Sequence, residues 1–265
     1  MTATHIHSSS VVSAKAKIGT GVTVGPFCVI GDNVSIGDGT VLHSHVVLDG
    51  HTSIGRDNTI FPFASLGTRP QDLKYHGEQS VLTIGDGNMI REHVTMNPGT
   101  EGGGMKTTVG NDCLFMVGAH VAHDCIIGDN VILANNATLA GHVTVGDHAV
   151  LGGLSAVHQF VRIGAHAMVG GMSGVEYDVI PFGLVMGDRA RLAGLNLVGL
   201  ERRGFAREDI NALMKVFKDL FYGDGTFAER LAHAQNAHTG KTLIEDMLAF
   251  ARTKHNRPLC QPQHK

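Results

Sequence analysis

Aliphatic residues recur at every sixth position through most of this chain. The series runs from Ile6 through Val12, Ile18, Val24, Ile30, Ile36, Leu42, Leu48, Ile54 and Ile60 to Leu66. It resumes at Ile84, Ile90 and Met96. It resumes again at Val109 and runs through Phe115, Val121, Ile127, Leu133, Leu139, Val145, Leu151, Val157, Ile163 and Val169 to Val175. A six-residue period is neither helical nor simple strand alternation. It is the repeat of a parallel β-helix, in which each hexad supplies one short strand and one corner. Glycine often follows the aliphatic residue, as at Gly19, Gly31, Gly37, Gly55, Gly85, Gly110, Gly128, Gly146 and Gly164. The expectation is that it turns the corner with backbone angles other residues avoid. Three hexads make an eighteen-residue coil, and successive coils stack at ~4.8 Å. About 26 hexads can be counted, enough for a rod with its own core.

The period breaks twice. Gly-Thr-Arg-Pro-Gln-Asp-Leu-Lys-Tyr-His-Gly-Glu follows Leu66, and Asn-Pro-Gly-Thr-Glu-Gly-Gly-Gly-Met-Lys follows Met96. Both segments are expected to be loops expelled from the rod, and loops on a rigid scaffold often carry function. The Asp72-Leu73-Lys74-Tyr75 cluster suits contact with a polar ligand. After Val175 the hexads fade. Ile210, Leu213, Met214, Phe217, Leu220 and Phe221 then lie at helical spacing. Thr226 and Glu229 form a capping box for a second helix, and Leu243, Ile244, Met247, Leu248 and Ala251 predict a third. Helices there would cap the open end of the rod, and the tail past Pro258 reads as frayed. The chain thus divides into a β-helix over residues 1–190, with expelled loops at 67–83 and 97–108, and a C-terminal helical domain over residues 191–265.

Composition narrows the classes. Thirty-five glycines without a collagen period fit a corner-rich solenoid, and tryptophan is absent. A net charge of −3 gives no broad nucleic-acid footprint. The four cysteines, Cys28, Cys113, Cys125 and Cys260, lack metal-finger spacing and read as reduced thiols. No signal peptide and no membrane-spanning run is evident. A cytoplasmic protein without stable membrane insertion is expected.

The repeat also sorts the histidines. Val121, Leu139 and Val157 begin hexads eighteen apart, so His123, His142 and His158 are expected along one face, with His120 closing the preceding hexad. Three readings stand side by side. His120 and His123 with His142 could ligate zinc. The imidazoles could satisfy corner carbonyls. Or one could act as an acid–base group, since imidazole exchanges protons near neutral pH. Asp124 follows His123 directly, and adjacent residues point to opposite faces. It would orient a histidine only at a corner or across a subunit interface.

Five segments carry a resemblance beyond the repeat. They are Gln71-Asp72-Leu73-Lys74-Tyr75, Ala122-His123-Asp124-Cys125, Leu133-Ala134-Asn135-Asn136-Ala137-Thr138-Leu139-Ala140-Gly141-His142, Ala156-Val157-His158-Gln159-Phe160 and Glu201-Arg202-Arg203-Gly204-Phe205. Together they resemble the acyl-[acyl-carrier-protein]–UDP-N-acetylglucosamine O-acyltransferases, which open lipid A synthesis. The resemblance implies a mainly β fold: a left-handed parallel β-helix of hexapeptide repeats with a C-terminal α-helical cap. It implies a homotrimer with active sites between neighbouring rods. Acyl carrier protein would be the donor, UDP-N-acetylglucosamine the acceptor, and no metal or organic cofactor would take part. It implies His123 as general base and the Gly141 N–H as oxyanion donor. It implies a substrate-binding set of Asp72, Lys74, His120, His142, His158, Gln159, Asn196 and Arg202. Gly171 matches the position that measures acyl length, and glycine there leaves room for a 3-hydroxyacyl chain of about fourteen carbons.

The chain departs from the family pattern at Val198, where Glu is common, and at Arg189, where His is familiar. An acidic carrier protein would call for a basic patch, and Arg202, Arg203, Arg207, Lys215 and Lys218 cluster in sequence. The alternative within enzymes is an acyl- or acetyltransferase acting on a sugar amine or using coenzyme A. The N-acyltransferase of this pathway carries an extra N-terminal domain, for which hexads starting at Ile6 leave no room. A non-enzymatic solenoid is the third class. It would need neither the Asp72 and Lys74 loop nor the stacked histidines.

Overall fold

A computed structural model describes residues 3–237 and 242–263. From His5–Ile6 to Gly174–Val175 it holds twenty-six strands, most of them two residues long. They pair in parallel into three walls. The first wall begins with His5–Ile6, the second with Val11–Val12 and the third with Lys17–Ile18, so successive hexads take successive walls. Val121 pairs with Leu139, and Leu139 with Val157, all on the second wall. Counting by eighteen therefore does return to one side of the coil. Edge I joins the first wall to the second, edge II the second to the third, and edge III the third to the first.

The aliphatic column fills the interior. Its members from Val24 to Val175 are at most 4% exposed, whereas Ile6 at the open N-terminal end is 42% exposed. Burying one such side chain contributes about 1.5–3 kcal/mol. A second inward position lies two residues earlier. The hydrophobic pattern hides it, because small and polar residues occupy it: Cys28, Thr40, Asn58, Asn88, Cys113, Ala119 and Cys125 are all buried there. The polar members are satisfied across coils. The Asn58 and Asn88 carboxamides donate to the carbonyls of Gly85 and Gly110 at 2.9 and 3.0 Å. The Cys28, Cys113 and Cys125 thiols donate to the carbonyls of His43, Gly128 and Ala140. Burial pushes the Cys125 thiol up to about 12.

The glycines after the aliphatic residues do not turn the corners. Positive φ falls three residues after the aliphatic residue, two past the glycine, and mostly on other residues: Asp124 (59°), Asn130 (57°), Asn136 (57°), His142 (63°), His148 (59°), Leu154 (59°), Phe160 (64°), His166 (59°) and Met172 (58°). The glycine has a different task. A Cβ at Gly37 would stand 2.5 Å from the Gly55 carbonyl carbon, and one at Gly110 2.6 Å from that of Gly128. Coil stacking, not left-handed backbone, selects glycine there. The corner side chains stack in turn. Along edge I, Phe27, His45, Phe63 and His93 lie ring over ring at 4.9–5.1 Å, close to the coil spacing.

Both expelled loops leave edge II, because Leu66 and Met96 close second-wall strands and Val81–Ile84 and Lys106–Val109 open third-wall strands. Pairing resumes at Val81 and Lys106, inside the ranges 67–83 and 97–108 expected from the sequence. The loops proper span 67–80 and 97–105.

The rod ends in an antiparallel hairpin, Gly183–Met186 with Arg191–Leu195. Four helices follow: α1 (Leu197–Arg202), α2 (Arg207–Tyr222), α3 (Phe227–Ala237) and α4 (Thr242–Arg252). The short α1 has no sequence signal of its own. Helix α2 buries Ile210, Leu213, Val216, Phe217, Leu220 and Phe221. The expected capping box forms before α3: the Thr226 N–H donates to Glu229 Oε2 at 2.8 Å, and the Glu229 N–H to Thr226 Oγ1 at 3.3 Å.

The tail is not frayed through residue 263. It straps back over the end of the rod. The Asp178 N–H donates to the Pro258 carbonyl, the Cys260 N–H to the Asp178 carbonyl and the Leu192 N–H to the Gln261 carbonyl, at 2.8–3.0 Å. Cys260 is 2% exposed. Among the described residues, no helix is long and apolar enough to cross a membrane.

Candidate active site

Edge II gathers most of the chemistry. His123 and Asp124 turn the corner after the second-wall strand His120–Val121, and Gly141 and His142 turn it one coil on. Gln159 and Phe160 turn it one coil further. The His123 and His142 rings meet edge to face at 5.0 Å, and His142 stacks on Phe160 at 4.3 Å. His123 is 7% exposed and Asp124 5%.

Of the two ways open to Asp124, the structure takes the corner. Positive φ at the corner turns its side chain back onto the preceding residue, and Asp124 Oδ2 lies 2.8 Å from His123 Nδ1. The contact is within one chain. A carboxylate accepts, so His123 Nδ1 carries the proton and Nε2 presents a lone pair. Asp124 also accepts from the Thr100 N–H at 3.0 and 3.1 Å and from the Thr100 hydroxyl at 2.6 Å. Burial raises the Asp124 carboxyl. The hydrogen bonds from His123 and Thr100, with nearby His142, outweigh that and hold it below the ordinary carboxylate range. It therefore stays ionised opposite the imidazole.

Gly141 packs on the His123 ring. A Cβ there would overlap the Cε1 and Nε2 atoms of His123. Its backbone N–H meets no acceptor among the described residues. His142 lies 3.9 Å through Nδ1 from Asp124 Oδ2. Burial lowers its pKa; Asp124 pulls it up, His123 pushes it down, and Asp72 and Lys74 act in opposite senses. The influence of Asp72 and Lys74 brings the first loop close to this corner. Lys74 is exposed and Asp72 half-buried. His120 bonds through Nδ1 to the Thr95 hydroxyl at 2.7 Å, and burial, with His123 beside it, lowers its pKa.

Other expected members stand apart. His158 shares the second wall; it is exposed, and its Nδ1 lies 2.6 Å from an Arg257 guanidinium nitrogen. Arg257 also donates to the Gln159 carbonyl at 3.0 Å. The strap, silent in the sequence, accounts for this. Asn196 caps α1: its side-chain oxygen accepts from the Gly199 N–H at 3.1 Å and its amide donates to the His166 carbonyl at 3.0 Å. Its carboxamide is thus engaged at both ends, on edge III. Arg202 is exposed at the end of α1, while Arg203 turns inward to the His148 carbonyl at 2.8 Å. Gly171 lies on edge I, beside the exposed Leu154 and Met172. Arg189 pairs with Glu176.

The zinc reading changes membership. Among the described residues, the one group of three metal-ligating side chains is His123, Asp124 and His142, within 4.8 Å of one another; His120 is not in it. That set fits a cation poorly. Three donors already fill the Asp124 carboxylate, and His123 Nδ1 keeps a proton that a metal would displace.

Comparison with known proteins accords with this geometry. The bacterial transferase hexapeptide model (six repeats) matches residues 15–50 and 106–141, and the model for domain 2 of UDP-N-acetylglucosamine O-acyltransferase matches residues 178–260. The chain is 51% identical over 257 residues to the acyl-[acyl-carrier-protein]–UDP-N-acetylglucosamine O-acyltransferase of Azorhizobium caulinodans, covering 97% of this chain and 95% of that protein. A solved UDP-N-acetylglucosamine acyltransferase superposes with a TM-score of 0.94 at 43% identity, covering 98% of this chain and 99% of the other. The Acinetobacter baumannii structure gives 0.90 at 40% identity, covering 97% and 99%. Fold and site together define a hexapeptide-repeat acyltransferase built on a left-handed parallel β-helix. Within that class, the chain belongs to the acyl-[acyl-carrier-protein]–UDP-N-acetylglucosamine O-acyltransferase family.

Proposed function

We propose that this chain transfers a 3-hydroxyacyl group from acyl carrier protein to the 3-hydroxyl of UDP-N-acetylglucosamine, the opening step of lipid A synthesis in the cytoplasm. The observation that carries the mechanism is the His123–Asp124 pair, with Nε2 free against Gly141. His123 Nε2 takes the proton of the sugar hydroxyl as its oxygen bonds to the thioester carbon. The carbonyl π pair moves onto oxygen, and the Gly141 N–H donates to that oxyanion. Losing such a donor costs roughly 3–4 kcal/mol of barrier. Collapse re-forms the carbonyl and breaks the carbon–sulfur bond. The departing thiolate takes the proton back from His123. Asp124 holds the imidazolium during the interval between the two transfers.

Substrate roles follow position. Asp72 and Lys74 hold the sugar from the first loop, with His142, His120 and Gln159 lining edge II. Arg202 faces the diphosphate, where its planar fork suits phosphate oxygens. Gly171, with Leu154 and Met172, borders the acyl chain. A chain of about fourteen carbons is expected, because glycine leaves the groove open. Edges I, II and III cannot meet within one rod. A homotrimer, with one chain's edge II facing a neighbour's other edges, supports a complete site. The basic face of α2, with Arg207, Lys215 and Lys218 exposed, suits an acidic carrier protein.

The test is His123→Ala. Turnover of UDP-N-acetylglucosamine with acyl carrier protein thioester should fall by roughly 10²–10⁴ with the melting temperature unchanged. Loss of folding instead would assign His123 to the scaffold.

A further inference from the structure

The Asp124 carboxylate sits between two imidazoles. Its Oδ2 is 2.8 Å from His123 Nδ1 and 3.9 Å from His142 Nδ1. A carboxylate on a single bond can swing between such partners. Only one arrangement leaves His123 with Nδ1 protonated and Nε2 free. Something must fix the torsion, and the rod does not supply it, because at the corner the side chain stands outside the coil.

The second loop does supply it. Thr100 donates its N–H to both carboxylate oxygens and its hydroxyl to Oδ2, at 2.6–3.1 Å. Thr100 is 4% exposed, so water does not compete well for these bonds. Gly103, three residues on, lies directly against the carboxylate, and a Cβ there would overlap it. Thr100 also anchors its own loop, since its carbonyl accepts from the N–H groups of Gly103 and Met105 at 3.0 Å. The first loop pins the second in place: the Asn97 amide donates to the Thr68 carbonyl at 3.1 Å, and Glu78 accepts from the Glu101 N–H at 3.1 Å. From below, the Asp124 N–H donates to Thr107 Oγ1 at 2.8 Å.

We infer that Thr100 is a positioning residue for the acyl transfer: the expelled loop 97–105 clamps Asp124 onto His123 and away from His142, and so sets which histidine is the base. This rests on the reading of His123 as the base. The titratable groups beside the pair are His120 on the same wall, the buried Cys125 next in the chain and His142 one coil on; Asp72 and Lys74 from the first loop act on His142. Thr100 acts through Asp124 and does not touch the reacting atoms.

A double-mutant cycle on the full-length enzyme tests the inference, with Thr100→Val, Asp124→Asn and the pair, and Thr100→Ser as the conservative control. Thr100→Val should lower kcat by about tenfold and leave both KM values within about twofold. Thr100→Ser should restore most of the rate. Without the hydroxyl, the less stabilised carboxylate pulls harder on an imidazolium, so the acid limb of kcat/KM should move to higher pH. In an Asp124→Asn background, Thr100→Val should cost little more. Full additivity in the cycle, or an unmoved acid limb with the same loss in Thr100→Ser, would make the loop a structural element and overturn the inference. So would wild-type kinetics in Thr100→Val. Thr100→Ala enters the same cycle if the valine variant does not assemble. An inactive Thr100 variant beside a fully active His123→Ala would instead sink the base assignment.

Discussion

His123 and Asp124 are neighbours in sequence, and a strand would send them to opposite faces. The corner overrides that rule, because φ of +59° at Asp124 folds its carboxylate back on the preceding ring. Asp124→Asn should therefore lower kcat by roughly two orders of magnitude, within the range for losing acid–base assistance, while leaving the KM for the sugar nucleotide nearly unchanged. Steady-state kinetics check this; an unaffected kcat would remove Asp124 from the mechanism. Gly141→Ala tests a close approach of another kind. Its Cβ has no room beside the His123 ring, so activity should fall at least as far while the melting temperature changes little. At this scale the sequence was partly legible. Counting by eighteen puts Gly141 one coil above His123, with His142 next to it, because register is fixed by the repeat. It leaves the Asp124 contact open between a corner and an interface and cannot reveal Thr100, because these depend on one backbone torsion and on the path of an irregular loop. His158 keeps its place on the second wall, but the contact it makes there with Arg257 of the strap has no sequence signal.

Elements show a similar split. The hexads declare the strands, and Thr226 with Glu229 declares the start of α3, since both depend on short-range spacing. The glycine after each aliphatic residue has a meaning that single-coil reasoning misses: it makes room for the next coil. The strap is invisible for a plainer reason. Residues 253–263 lack any period, and their order comes from hydrogen bonds to the hairpin and to buried Asp178. A chain ending at Arg252 should melt several degrees lower by calorimetry, because the Asp178 and Leu192 backbone groups lose their partners. An unchanged melting temperature would mean the strap adds nothing. Edge III offers a pH test. Burial, then His148 and Arg203, push His166 down to about 4. A histidine with a depressed folded pKa is more easily protonated when unfolded. Its contribution is therefore intact above the unfolded value near 6.5 and is lost as pH falls toward about 4. The melting temperature should fall across that window, and His166→Gln should flatten the slope.

At the scale of the whole molecule, the proposed function draws on three edges: His123 and both loops on edge II, an apolar border at Gly171 on edge I, and Arg202 near edge III. One rod holds them apart, so activity should track assembly. Met172, 75% exposed beside Gly171, is a suitable probe. If the proposed trimer forms there, Met172→Glu should reduce both the fraction sedimenting as an oligomer and the turnover of long acyl donors. A fully active monomer in ultracentrifugation would contradict the shared-site reading. In the proposed mechanism, coil stacking turns His123 into the base of an O-acyl transfer. The most direct measurement is mass spectrometry of the product that wild-type and His123→Ala enzymes form from UDP-N-acetylglucosamine and a mixture of acyl carrier protein thioesters. The expected result is a single ester-linked 3-hydroxyacyl product of about fourteen carbons from the wild type and almost none from the variant. Equal product from both enzymes, or a ten-carbon product outrunning the fourteen-carbon one, would contradict it.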